Sequence, residues 1–96
     1  MILPVLSALA EPTRLAAILR LADGREHCVC ELMAALDATQ SRMSRHMQAL
    51  KQAGLVVDRR DAQWVRYRLN PEMPPEIRAV LRAVLDAAAA TERNAA

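Results

Sequence analysis

The stretch Asp37-Ala38-Thr39-Gln40-Ser41-Arg42-Met43-Ser44-Arg45-His46-Met47-Gln48-Ala49-Leu50-Lys51-Gln52-Ala53-Gly54, DATQSRMSRHMQALKQAG, decides the fold. Thr39 offers the hydroxyl of an N-cap, Met43, Met47 and Leu50 recur at helical spacing, and Ala53-Gly54 is a stop signal. Together they predict a helix from Gln40 to Gln52. Off its apolar face lie Gln40, Ser41, Arg42, Ser44, Arg45, Gln48 and Lys51, and no acidic residue falls between Gln40 and Gln52. A solvated helix in a nearly neutral protein ordinarily mixes signs. This one is built to face a polyanion.

Upstream, Val29, Leu32, Met33 and Leu36 repeat at i, i+3, i+4 and i+7 and predict a second helix, with Asp37-Ala38 as a short turn. Two short helices joined by a tight turn, the later one basic outside, form a helix-turn-helix over residues 28–53. Downstream the period changes to two. Leu55-Val56-Val57-Asp58-Arg59-Arg60 and Trp64-Val65-Arg66-Tyr67-Arg68-Leu69 are strand-prone runs joined by Asp61-Ala62-Gln63, and the second alternates Val65, Tyr67, Leu69 against Trp64, Arg66, Arg68. The fold class is therefore mainly α with a β-hairpin wing over residues 55–69: a winged helix-turn-helix, with residues 1–96 as one domain.

In such a domain the second helix of the motif enters the major groove of duplex DNA while the hairpin reaches phosphates or the minor groove. The candidate DNA contacts are Gln40, Ser41, Arg42, Ser44, Arg45 and Lys51 on the helix, with Arg59, Arg60, Arg66 and Arg68 on the wing. Gln suits adenine, Arg suits guanine, and Ser bonds a base edge or a phosphate. His46 is read as a phosphate ligand, with a structural place at the junction of helix and body as its alternative. The charge is divided accordingly. From Gln40 to Leu69 there are seven basic and two acidic residues, against six basic and nine acidic in the remainder.

The flanks read as helices. Ile2 to Leu9 is apolar and breaks at Glu11-Pro12, where Pro12 opens a helix striped by Leu15, Ile18 and Leu19 that ends at Asp23-Gly24. Pro74-Pro75 opens a last helix striped by Ile77, Val80, Leu81, Val84, Leu85 and Ala88. With 96 residues, no phenylalanine, and Trp64 and Tyr67 as the only aromatics, large core side chains are scarce. Segments 1–10 and 75–91 are expected to complete the core by pairing with a second copy, giving a homodimer. The apolar N-terminus has no basic flank, contains Pro4 and is too short for a membrane span. The expectation is a cytoplasmic protein without membrane contact.

Cys28 and Cys30 are the only cysteines. Without a secretory signal they are read as reduced thiols or metal ligands rather than as a disulfide framework. Thiolates select soft ions, and a helix N-terminus promotes their ionisation. Two sulfurs share one ion only within about 4 Å, whereas helical residues two apart point about 200° away from each other. Ligand binding is therefore expected to distort the first turn of the helix that supports the DNA reader. A thiol-redox sensor using the same cysteines is the alternative. A small thiol enzyme is disfavoured, since there is no Cys-x-x-Cys in a βαβ setting, no Gly-rich phosphate loop, and only two histidines.

Leu9-Ala10-Glu11-Pro12-Thr13-Arg14-Leu15, Cys28-Val29-Cys30-Glu31-Leu32, Gln40-Ser41 with Ser44 and His46, Leu50 to Val56, and Trp64 to Leu69 together resemble the ArsR/SmtB family of metal-responsive repressors. The resemblance runs along nearly the whole chain in order. It implies a homodimeric winged helix that needs no cofactor to bind a palindromic operator and leaves it when a toxic ion binds, with the terminal helices forming the dimer. Cys-Val-Cys-acid-Leu resembles the site of arsenic-responsive members, which implies As(III) or Sb(III) as inducer on Cys28 and Cys30. Many members have a third cysteine where this chain has Met33, so the third ligand stays open among His27, water and a small thiol. The N-terminal cysteine of cadmium- and lead-sensing relatives and the last-helix histidines of zinc-sensing relatives have no counterpart here.

Overall fold

Glu11, Pro12 and Arg14 shape the first corner of the chain. Glu11 is the N-cap of a helix whose first residue is Pro12, and its Oε2 accepts the Arg14 N–H at 2.8 Å. The Arg14 guanidinium turns back and donates to the carbonyls of Ala8 at 2.6 Å and Ser7 at 3.3 Å. These are carbonyls that the preceding helix leaves without an intrahelical partner. The four residues from Glu11 to Arg14 thus close one helix and start the next.

The computed structural model describes the backbone of residues 2–95 and the side chains of residues 2–91. In chain order the elements are α1 (Ile2–Leu9), α2 (Pro12–Leu21), β1 (His27–Cys28), α3 (Val29–Leu36), α4 (Gln40–Gln52), β2 (Val56–Asp61), β3 (Trp64–Leu69) and α5 (Pro75–Ala95). No single helix among the described residues is long and apolar enough to cross a membrane.

The helix-turn-helix forms for the expected reasons. Asp37 takes the left-handed conformation (φ 52°) and the Ala38 N–H reaches the Met33 carbonyl at 3.1 Å, which ends α3. Thr39 then caps α4 by accepting the Arg42 N–H at 3.3 Å. At the far end Gly54, at φ 81°, lets the Leu55 N–H return to the Leu50 carbonyl at 3.0 Å. An L side chain resists that backbone, and glycine does not.

The core is drawn from α2, α3, α4 and the root of the wing: Ile18, Leu21, Leu32, Met43, Met47, Leu50, Leu55 and Val56 are all buried. In α2 the buried stripe is Ala17, Ile18 and Leu21, while Leu15 and Leu19 flank it half-buried, a shift from the expected stripe. The reason is steric: the wholly buried Ala17 needs only the room of a methyl group where α2 passes its neighbours. Met33 is half-buried and packs against the core, as the spacing implied. α1 buries Val5, Ala8 and Leu9 but turns Ile2, Leu3 and Leu6 outward, Leu3 being 74% exposed. From α5, Leu81 and Leu85 are buried, and Ile77, Val80 and Val84 are half-covered.

The wing is larger than the sequence reading had it. β1, only two residues long, joins the hairpin to give a three-stranded antiparallel sheet in the order β1-β3-β2. His27 lies opposite Tyr67 and Cys28 opposite Arg66, while β2 pairs with β3 from Val56 with Leu69 to Asp61 with Trp64. Two residues offer no alternation to detect, so β1 leaves no period-two signal. At the wing tip Ala62 holds φ 58°, the sign that two-residue hairpin loops demand of their first loop residue.

Relief of that strain outweighs the added chain entropy of glycine, so Ala62→Gly is expected to raise stability by about 0.5 to 1 kcal/mol, whereas Ala62→Val lowers it by more than about 1 kcal/mol. Urea midpoints of the two variants check both signs.

Candidate nucleic-acid interface and thiol site

Met43, Met47 and Leu50 anchor α4 in the core with no exposed surface, which fixes the rotation of the helix. Gln40, Ser41, Arg42, Arg45, Gln48 and Lys51 are consequently exposed, and Ser44 is half-buried. His46 sits apart from them. Its Nδ1 lies 3.5 Å from Glu11 Oε2 and 3.5 Å from Arg14 Nη1, so the ring bridges α4 to the corner between α1 and α2. That is the structural place given as the alternative for this residue.

The wing arginines divide into two kinds. Arg59 is held by Glu26 through two bonds of 2.9 and 2.8 Å, and Arg66 by Asp61 at 2.8 Å. On α4, Lys51 reaches Asp58 at 3.1 Å. Arg42, Arg45, Arg60 and Arg68 make no ion pair among the described residues, and all four are exposed. The hairpin face carrying Arg59, Arg66 and Arg68 is therefore less positive than the count of arginines suggests. Glu26 escaped the sequence reading because its partner is 33 residues away.

The cysteine geometry corrects the sequence expectation. Cys28 is not a helical residue: its backbone is extended (φ −67°, ψ 143°), and it serves as the N-cap of α3 while also closing β1. The angular separation of helical residues therefore does not apply, and the two sulfurs meet without any unwinding of α3. They are joined as a disulfide with the Cα atoms 5.1 Å apart, where reduced thiols held apart were expected. Cys28 Sγ accepts the Cys30 N–H at 3.3 Å, and Glu31 Oε1 accepts the Cys28 N–H at 3.3 Å, completing a capping box in which sulfur takes the role of the usual hydroxyl.

His27 turns both ring nitrogens to carboxylates. Nε2 lies 2.9 Å from Asp23 Oδ2 and Nδ1 lies 3.2 Å from Glu31 Oε2. Neither nitrogen is left for a ligand bound at the sulfurs, so His27 drops out as the third donor in this arrangement. The contact with Asp23 raises the His27 pKa above its ordinary value; burial opposes it, and Glu31 adds to the rise. Asp23 is lowered chiefly by His27, and Glu31 chiefly by the Cys28 N–H. The trio clamps the end of α2 to the first turn of α3.

Residues 11–57 match the family model described as bacterial regulatory protein, arsR family. The arsenic resistance transcriptional regulator ArsR1 of Pseudomonas putida is 47% identical over 83 residues, which are 86% of this chain and 65% of that protein. The arsenical resistance operon repressor of Escherichia coli is 47% identical over 66 residues, 69% of this chain and 56% of that protein. The chain thus spans between half and two thirds of these two curated relatives. Among solved structures, a homodimeric winged helix-turn-helix DNA-binding domain from Mycobacterium bovis superposes with a TM-score of 0.75 at 31% identity, covering 91% of this chain and 77% of that one. The elements and their order define a winged helix-turn-helix domain. The chain belongs to the ArsR family of bacterial regulatory proteins.

The His27 clamp makes stability depend on pH. A raised imidazole contributes fully below its ordinary value of 6.5 and is lost as pH rises through the raised one. The lowered Asp23 and Glu31 contribute above their ordinary values of 3.8 and 4.5 and are lost as pH falls through the depressed ones. Stability from this cluster is thus greatest between 4.5 and 6.5. His27→Ala is expected to flatten the decline in urea midpoint between pH ~6 and ~8.

Proposed function

We propose that the chain is a homodimeric repressor that binds palindromic duplex operator DNA and releases it when As(III) or Sb(III) binds Cys28 and Cys30. The observation that carries this reading is the meeting of the only two cysteines at the N-cap of the helix immediately before α4. The arsenic-resistance names of the two bacterial relatives support the choice of ion.

The donor set fits. Once a two-electron reductant such as a cellular thiol cleaves the disulfide, two soft thiols are left side by side, and an ion with bonds of ~2.3 Å spans them as it displaces their protons. The third ligand comes from outside the pair and is not His27, leaving water or a small thiol. Binding engages the sulfur that now accepts the Cys30 N–H, and so acts on the cap of α3 and on β1 together. Loss of a cap costs about 1 kcal/mol. A 100-fold fall in operator affinity requires about 2.7 kcal/mol of coupling, so the cap alone falls short and the sheet contact must share it.

On the DNA side, we assign Gln40, Ser41, Arg42, Ser44 and Arg45 to base edges, and Lys51, Arg60 and Arg68 to phosphates. Lys51, Arg59 and Arg66 reach phosphate only by leaving their carboxylates. His46 acts through the orientation of α4. The outward Ile2, Leu3 and Leu6 of α1 and the half-covered Ile77, Val80 and Val84 of α5 are the surfaces a second copy covers. The disulfide favours a second reading, in which thiol oxidation is the release signal.

Mobility-shift titration of reduced protein on its own upstream DNA separates the two readings: arsenite releases the DNA in the first, and release by peroxide alone overturns it. Cys28→Ser and Cys30→Ser are each expected to keep operator binding and lose release by arsenite. Arg45→Ala should cost about 1 to 3 kcal/mol on operator DNA, whereas Arg68→Ala should weaken all duplexes alike and lower the salt slope by about one. Leu3→Glu with Leu6→Glu is expected to convert dimer to monomer in sedimentation equilibrium.

A further inference from the structure

Glu26 stands directly before β1 and grips the wing. Its Oε2 lies 2.9 Å from Arg59 Nε and its Oε1 lies 2.8 Å from Arg59 Nη2. A two-pronged bond between guanidinium and oxyanion is also what a DNA phosphate offers an arginine, so carboxylate and phosphate compete for one fork. The Glu26 side chain is 33% exposed and that of Arg59 is 54% exposed, so the exchange requires no opening of the core.

The strand that Glu26 enters carries the sensor. Cys28 pairs with Arg66 across β1 and β3, and Arg66 pairs with Arg59 across β3 and β2, so the three backbones cross the sheet in one line. The structure holds the sulfurs together, as a shared ion would, and in that arrangement Arg59 is taken by Glu26.

We propose that Glu26 is a positioning residue that withholds Arg59 from DNA phosphate, and that the cysteine pair two residues along the same strand sets the strength of this grip. The inference rests on the repressor reading above. It assigns the wing, and not only α3, to the path between inducer and DNA. Joined sulfurs keep β1 seated and Arg59 masked. Separated sulfurs let the strand shift and free the guanidinium for the backbone of the duplex.

The test is fluorescence anisotropy of the full chain, its cysteines first reduced by a dithiol that is then removed, on its own upstream duplex and on a random duplex, over a range of salt, with and without arsenite. Glu26→Gln is expected to bind both duplexes about three- to tenfold more tightly, with a salt slope steeper by about one, and to show a correspondingly smaller release by arsenite. Glu26→Asp should retain wild-type release, and in an Arg59→Ala background Glu26→Gln should change nothing. An equal gain in that background would mean simple removal of a negative charge and would overturn the proposal. So would unchanged affinity and slope in Glu26→Gln while the wild type binds and releases normally, an outcome that leaves the repressor reading standing. A wild-type chain without salt-dependent binding overturns both.

Discussion

The backbone of Cys28 has to end a strand and begin a helix at once, and the remaining parts are arranged around that constraint. Its extended conformation allows pairing with Arg66 in the wing, and the same conformation makes it the N-cap of α3. A residue in this position has its side chain free to face its own first helical turn, which is why a thiol here meets a thiol two residues on. Helix, sheet and sulfur site therefore share one residue. No change at one of the three leaves the other two indifferent.

The polar surroundings reinforce that junction from outside. Asp23, His27 and Glu31 tie the end of α2 to the start of α3, Glu31 also holds the Cys28 N–H, and Glu26 reaches the wing. The charges at the sulfur site are thus mostly internal partners for one another. The unpaired cations among the described residues of the interface, Arg42, Arg45, Arg60 and Arg68, lie on the reading helix and the outer wing. The unpaired cations and the sulfur site are thus spatially separate, and the paired Arg59 and Arg66 lie between them in the sheet.

Much of this was legible in the sequence. The α4 stripe of Met43, Met47 and Leu50, the caps at Thr39 and Gly54, and the alternation along β3 each carry a local periodic or turn signal, and each appears as read. What was not legible depends on distant partners or on single-residue backbone geometry. β1 is too short to have a period, and the pairing of Glu26 with Arg59 spans 33 positions. The relation between Cys28 and Cys30 is hidden from the sequence because the boundary residue Cys28 is extended and not helical, which removes the angular separation that helical spacing implies. His46 was ambiguous for a similar reason: a helix face alone does not reveal that Glu11 and Arg14 approach from another element.

The Arg14 side chain has a mechanical meaning beyond capping. It holds carbonyls at the end of α1 while standing beside His46 on α4, so the helix that turns Ile2, Leu3 and Leu6 outward is fastened to α4 through polar contacts. Apolar contacts tolerate sliding, whereas hydrogen bonds hold angle and distance. In the dimer proposed above, the spacing between the two copies of α4 depends on the geometry of this one guanidinium.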